Sequence, residues 1–333
     1  MDDPGGGGVV SIAAEELLEP ISTELVEFER RLDAEIASDL GPMASAMSHI
    51  VKAGGKRLRP ALVILAARLG NADTDDVFNL AMGIEFIHTA TLVHDDLIDK
   101  APTRRGIRTI HEALGPDPAV IIGDYYFAKG AYLLAEIGMP AIDSAISHAV
   151  MTICMGELLQ MTSRNEYDQS LADYHRKIGR KTATLVSTSC YGGGLIAGLD
   201  ADSVESLRRY GHSLGMAFQI ADDVLDYVAT SAEVGKPVGA DLRQGTVTLP
   251  LMLALNDREV GARLRDILAR NDLNENDFDT VVSLVRGSNA IAEAERSAQE
   301  FAREASTELQ GFPQSSARET LERVCDYVVE RRI

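Results

Sequence analysis

The chain contains no tryptophan, and aromatic residues make up only 5% of its 333 positions. Strands draw on alternating β-branched and aromatic residues, so an extended β architecture is poorly supplied and the Ala-, Leu- and Ile-rich remainder leans to helix. Cysteine is scarce too: Cys154, Cys190 and Cys325 stand far apart with no paired spacing. That argues against a disulfide framework and fits a reducing cytoplasm. Positive charge is in deficit, with 32 Lys and Arg against 51 Asp and Glu, a net charge of −19. Nucleic acid and anionic membrane surfaces are therefore disfavoured as partners. No apolar run reaches the roughly 18 residues that span a bilayer, so no integral membrane segment is expected. The opening "MDDPGGGGVV" is acidic and Gly-rich, unlike a signal peptide, and residues 1–8 read as a disordered tail.

What the chain does have is helical periodicity. It runs through 9–38, 43–52, 60–69, 76–99, 116–136, 140–163, 171–197, 203–228, 246–256, 260–270, 277–285, 288–309 and 315–331. Short breaks carrying Gly, Pro, Asn or Asp separate these segments. No composition shift marks a linker, so the expectation is an all-α, single-domain bundle over 9–333, roughly a dozen helices around a central cavity. "YGGGLIAG" (191–198) lacks the preceding strand and the Lys-Ser/Thr of a phosphate loop, and reads as close helix packing.

Two acidic triplets end apolar helical patterns. On the segment 76–99, Ile84, His88, Thr91 and Asp95 share one face, Asp99 lies a turn further on, and Asp96 stands beside them. The same D-D-x-x-D spacing recurs at Asp222, Asp223 and Asp226, with Gln219 and Phe218 behind. Carboxylates about 6 Å apart on a helix repel by roughly 3 kcal/mol at an effective dielectric of 20, which calls for a compensating cation. All-oxygen donors point to Mg²⁺, Mn²⁺ or Ca²⁺ and, without Cys/His clustering, away from zinc. An EF-hand would need Gly at the sixth position and Glu at the twelfth. Counted from Asp95 these are Lys100 and Gly106, and from Asp222 they are Tyr227 and Glu233. Mg²⁺ between carboxylates and a substrate diphosphate would explain how so acidic a protein holds an anion.

Cations cluster near the triplets. "GGKRLRP" (54–60) places Lys56, Arg57 and Arg59 on a Gly-rich turn before a helix, a suitable diphosphate cradle. "TRRG" (103–106) offers Arg104 and Arg105, "GRKTA" (179–183) offers Lys181 and Thr182, and Lys236 lies on a Gly/Pro-broken loop after the second triplet. Alone, the GGKRLRP cations are equally an ordinary basic helix start, Lys181 is sooner a surface lysine, and His88 is sooner a satisfied core histidine.

In order, GGKRLRP, HTATLVHDDLID, TRRG, GDYYFA, GELLQ, RKTA, FQIADDVLD and GKPVGADL closely resemble the trans-type polyprenyl diphosphate synthases, from about residue 40 to 256. The resemblance implies the type I isoprenoid synthase fold and a prenyltransferase that adds isopentenyl diphosphate to an allylic diphosphate. It assigns three Mg²⁺ ions to the two triplets, with Asp95, Asp96, Asp99, Asp222 and Asp226 as ligands. It gives the isopentenyl site to Lys56, Arg59 and His88 with Arg105, and the allylic diphosphate to Arg104, Lys181, Thr182, Gln219 and Lys236. A homodimer is the usual assembly, and some members rely on a partner subunit.

In that family large aromatics just before the first triplet stop chain growth. Here Ala90 and Thr91 are small, so a product longer than twenty carbons is expected, with Ile87, Tyr126 or Phe127 as a deeper floor. A class I terpene cyclase is the competing enzyme class, disfavoured by the second intact triplet and by GGKRLRP. A subunit of a heteromeric synthase is a further reading of the same motifs, and a helical Ca²⁺ module a more distant one.

Overall fold

The computed structural model describes residues 12–39, 57–104, 106–229, 238–270 and 272–330. The tail 1–8, the predicted helix 43–52, and Lys56, Arg105 and Lys236 lie outside the described residues. The chain begins with α1 (Ile12–Leu18) and α2 (Ser22–Asp39), separated by a tight 3₁₀ turn at Glu19–Ile21 that contains Pro20. Then come α3 (Leu58–Ala67), α4 (Thr74–Ile98), the two-residue strands β1 (Thr103–Arg104) and β2 (Ile107–Arg108), α5 (Ile110–Leu114), α6 (Pro116–Glu136) and α7 (Pro140–Thr162). Next, α8 (Leu171–Ile178) runs through a π-helical turn, Gly179–Ala183, into α9 (Thr184–Ile196), and α10 (Ala201–Val228) follows. The remainder is α11 (Ala240–Arg243), α12 (Leu249–Asn256), α13 (Gly261–Leu268), α14 (Glu275–Gly287), α15 (Ala290–Glu308) and α16 (Ser316–Glu330). Among the described residues the all-α expectation holds, with one small antiparallel hairpin, Arg104 opposite Ile107, as the addition.

Contacts divide the chain into two compact units, one built from 1–144, 189–204 and 312–324, the other from 145–188, 205–311 and 325–333. In the first, α4 is the central helix. Asp73 caps its N-terminus by accepting the Asp75 amide at 2.8 Å. Its residues from Val77 to Ala90 are buried almost all round, except Asn79 and His88. The α6 helix lies close against it: a Cβ on Gly130 would stand 2.7 Å from the Gly83 carbonyl and 2.8 Å from Ile87 Cγ1. The glycines read as packing residues behave so, since a Cβ on Gly193 would come within 2.7 Å of the Val63 carbonyl of α3.

The second unit packs Tyr174, Ile178, Ile220, Val224 and Tyr227 with Leu251, Leu255, Leu264, Val281 and Val285. Ala290, Ala294, Ala298, Ala302 and Ala305 form a buried small-residue stripe along α15 that admits close helix packing. Capping boxes at Ser170/Asp173 and Asn274/Asp277 start α8 and α14.

One expectation requires correction. The α7 helix is 23 residues long and its most apolar 18-residue window has a mean hydropathy of 1.2, so it is long and apolar enough to cross a membrane. Asp143, His148 and Glu157 interrupt the apolar run and hide this from a search for unbroken stretches. Ile142, Ile146, Ala149 and Ile153 nevertheless form a buried stripe at helical spacing, as in a core helix.

Candidate active site

The first acidic triplet closes α4, and its orientation differs from the sequence reading. Asp96 is the buried member, 8% exposed, whereas Asp95 and Asp99 are half-buried. The buried column is Phe86, Ala90, Val93 and Asp96, while His88, Thr91 and Asp95 follow its margin. Periodicity could not choose between these faces because the preceding turns are apolar on every side. Arg104 in β1 reaches Asp96, its Nε 2.9 Å from both carboxylate oxygens and its Nη2 2.8 Å from Oδ1. The hairpin thus delivers one expected diphosphate cation to the triplet's buried carboxylate. The Asp99 amide donates to the Asp95 carbonyl at 2.8 Å, which holds the last turn and keeps the two half-buried carboxylates one turn apart.

Of the isopentenyl-site residues, Arg57, Arg59 and His88 are described. Arg57 takes the left-handed conformation, φ 48°, immediately before α3. Its guanidinium is enclosed by two carboxylates, Glu85 of α4 at 2.7 Å and Glu29 of α2 at 2.5 Å. Arg57, expected on substrate, here ties the start of α3 to α2 and α4, and Glu85 gave no signal in the sequence. His88 is half-buried two turns before Asp95.

In the second unit the π-helical turn presents Lys181 and Thr182. Such a turn inserts one extra residue into a helix and is frequent at functional sites. The Thr184 hydroxyl donates to the carbonyl of Gly179, five residues back, at 3.0 Å. Lys181 Nζ lies 2.5 Å from Glu157 Oε2. The neighbouring Gly156 permits the approach, for a Cβ there would be 2.9 Å from the Lys181 amide. These two contacts account for Gly156 and Glu157 of the GELLQ motif, in which Glu157 had been given no role.

The second triplet divides its carboxylates. Asp222 is exposed, while Asp223 and Asp226 are each 3% exposed. Asp223 accepts from the Tyr174 hydroxyl at 2.7 Å and from Gln219 Nε2 at 2.8 Å. Burial pushes its pKa up to about 8 with the charge of Asp241 adding, and the two donated hydrogen bonds oppose the rise. Asp226 accepts the Ala240 amide at 3.2 Å and the Asp241 amide at 3.1 Å, one on each oxygen. It pins the start of α11.

Among the described residues, no three or more His, Cys, Asp or Glu side chains are gathered into a metal cluster. The donor chemistry of each triplet still suits hard divalent cations: Asp95 and Asp99 in the first unit, and Asp222 in the second, are carboxylates not fully buried, and Mg²⁺ completes its shell with water and substrate oxygens.

Comparison with known proteins decides the family. The model of the polyprenyl synthetase family matches residues 42–285. This chain belongs to the polyprenyl synthetase family. It is 38% identical over 311 residues to heptaprenyl diphosphate synthase component 2 of Geobacillus stearothermophilus, covering 93% of this chain and 97% of that one. It is 36% identical over 327 residues to the chloroplastic solanesyl-diphosphate synthase 2 of Oryza sativa subsp. japonica, covering 96% and 80%. The crystal structure of a polyprenyl synthase from Caulobacter crescentus, complexed with calcium and isoprenyl diphosphate, superposes with a TM-score of 0.90. It is 36% identical and covers 96% of this chain and 98% of that one. As a member of this family the chain is an enzyme, a prenyltransferase.

The positions expected to set product length in this synthetase all lie on α4 and α6. Ala90 and Tyr126 are fully buried, Ile87 is 2% exposed, and Thr91 and Phe127 are half-buried. The Tyr126 ring stacks on Phe86, centroids 5.6 Å apart, whereas Phe127 lies beside His94 at 5.7 Å. The two aromatic rings therefore meet α4 at levels eight residues apart, about 12 Å along the helix. The expectation of Tyr126 or Phe127 as a deeper floor thus names two different levels.

Proposed function

We propose that this prenyltransferase adds isopentenyl diphosphate to an allylic diphosphate in a magnesium-dependent reaction that makes an all-trans product longer than twenty carbons. The observation that carries this reading is the pair of acidic triplets in a chain that also retains the GGKRLRP turn and the Lys181–Thr182 turn. Asp95, Asp99 and Asp222 supply the oxygen donors for the ions, expected to be three, with Mn²⁺ as a substitute. Asp96 and Asp226 are expected as further ligands; Asp96 also pairs with Arg104, and Asp226 accepts amides at the start of α11. Bound Mg²⁺ neutralises charge on the allylic diphosphate.

Lys181, Thr182, Gln219, Arg104 and Lys236 bind and orient that diphosphate, and Arg59, His88, Lys56 and Arg105 hold isopentenyl diphosphate. The departing group takes the electron pair of the allylic C–O bond, and cationic side chains stabilise the charge it gains. Apolar walls exclude water from the carbocation. The double bond of isopentenyl diphosphate attacks it, a C–C bond forms, and loss of a proton to the released diphosphate restores an allylic product. Lys181 is held ready by Glu157 and changes partner when the diphosphate arrives. Ala90 and Thr91, small on α4, leave the growing chain room.

The active chain works in the cytoplasm as one catalytic domain and as a homodimer. Supporting the dimer is the outer face of α7, where exposed Met151, Met155, Leu158 and Met161 carry no charge on a chain of net −19. The likeness to a protein named component 2 favours a second reading, in which the chain is the catalytic subunit of a heteromer. Purified protein incubated with Mg²⁺, isopentenyl diphosphate and farnesyl or geranylgeranyl diphosphate tests both. Elongation by the chain alone, abolished by EDTA, supports the first reading. Elongation only after a second subunit is added supports the heteromer. Cyclic hydrocarbon as the product would overturn both.

A further inference from the structure

We infer that Tyr174 is a positioning residue for the allylic diphosphate, acting through Asp223 on Gln219 and Thr182. The inference rests on the proposal that Gln219 and Thr182 grip that diphosphate. Tyr174 lies on α8, is completely buried, and is assigned no role by sequence motif or family likeness. Its hydroxyl donates to Asp223 Oδ2 at 2.7 Å. The other oxygen of Asp223 accepts Gln219 Nε2 at 2.8 Å, and Gln219 Oε1 accepts the Thr182 hydroxyl at 2.6 Å. Four side chains thus form one directed chain from α8 through α10 to the π-helical turn.

The direction of these bonds matters for the substrate. A glutamine amide can turn over and present either its oxygen or its nitrogen. With Asp223 accepting, the Gln219 nitrogen faces Asp223 and its oxygen faces Thr182. Thr182 then donates to Gln219, which fixes its hydroxyl proton and leaves its oxygen lone pairs and the neighbouring Lys181 ammonium in a set arrangement. Tyr174 holds Asp223 in the rotamer that does this, because a buried carboxylate deprived of one donor seeks another. Within its own helix Tyr174 is adjacent to Lys177, whose Nζ donates to the Val247 carbonyl at 2.9 Å. That bond holds α8 against the segment leading into α12, so the platform under Tyr174 is rigid.

The test is steady-state kinetics of the magnesium-loaded enzyme, at a temperature where circular dichroism shows every variant folded. Tyr174→Phe is expected to raise KM for the allylic diphosphate about tenfold, the size of one lost buried hydrogen bond. KM for isopentenyl diphosphate should stay within about twofold, since Arg59 and His88, proposed to hold it, belong to the other compact unit. The same substitution made in a Gln219→Ala background, and separately in a Thr182→Val background, should produce no further rise. Such non-additivity distinguishes action through Gln219 from general loosening of the core. Introducing 4-aminophenylalanine at position 174 restores a donor and should return KM to the wild-type value. Equal changes in both KM values, or a full tenfold rise persisting in the Gln219→Ala background, would overturn the inference. Failure of wild-type elongation would instead count against the proposed function.

Discussion

Arg57 adopts φ 48°, a backbone conformation that a residue with a Cβ enters at a cost of about 1–2 kcal/mol. Its two carboxylate partners compensate, and of these Glu85 is the more buried, its side chain 7% exposed against 40% for Glu29. Removing the Glu85 charge leaves Arg57 enclosed with one solvent-facing partner. Glu85→Gln should therefore lower stability by about 2–3 kcal/mol, less than a fully broken buried pair because Glu29 remains. A shift in the urea midpoint with an unchanged m-value is the expected readout, and an unchanged midpoint would show that Glu29 alone suffices. The sequence could place Arg57 on a basic turn before a helix but not name its partner. Glu85 lies on the apolar stretch of another helix, and nothing local marks a residue whose role is set by tertiary contact. Asp223 and Asp226 are the same case: the D-D-x-x-D spacing was plain, yet which carboxylates turn inward depends on Tyr174 and on the amides of α11.

The long helices were legible because each keeps a sustained apolar face and ends in a Gly, Pro or capping signal. Segments 116–136 and 140–163 match α6 and α7 to within a residue. The π-helical turn was invisible, because one inserted residue does not disturb a 3.6-residue pattern enough to break it, and 171–197 read as a single helix. The hairpin at 103–108 was equally hidden, with strands of two residues too short for alternation. Packing between α4 and α6 defines the element-level prediction. Ala90 is fully buried five residues before Asp95, on the helix that Gly130 of α6 meets at close range. Ala90→Phe should cost about 1–3 kcal/mol through overpacking. It should also shorten the main product at similar primer consumption, as sized after dephosphorylation. Unchanged product length in a folded variant would rule out Ala90 as a determinant of chain length.

At the scale of the whole molecule, a net charge of −19 opposes self-association everywhere except where charge is missing. The α7 helix supplies such a place. From Ser147 to Thr162 its exposed residues include Met151 at 60%, Met155 at 50%, Leu158 at 53% and Met161 at 42%, and none of its exposed residues is an acid, a lysine or an arginine. Its two acidic residues lie off this face, Asp143 half-buried and Glu157 turned to Lys181. An uncharged face has the further merit that a copy of itself is complementary to it, which a two-fold interface requires and a charged face of one sign forbids. Methionine suits the purpose because its unbranched, polarisable side chain adapts to a symmetric partner. Met155→Glu combined with Leu158→Glu places like charges across the two-fold and should convert a dimer to a monomer in light scattering. The double substitution alters only exposed positions, so the melting temperature of the monomer should change little. A variant that remains dimeric would move the interface away from α7, and a wild type already monomeric at micromolar concentration would leave this face to a different subunit.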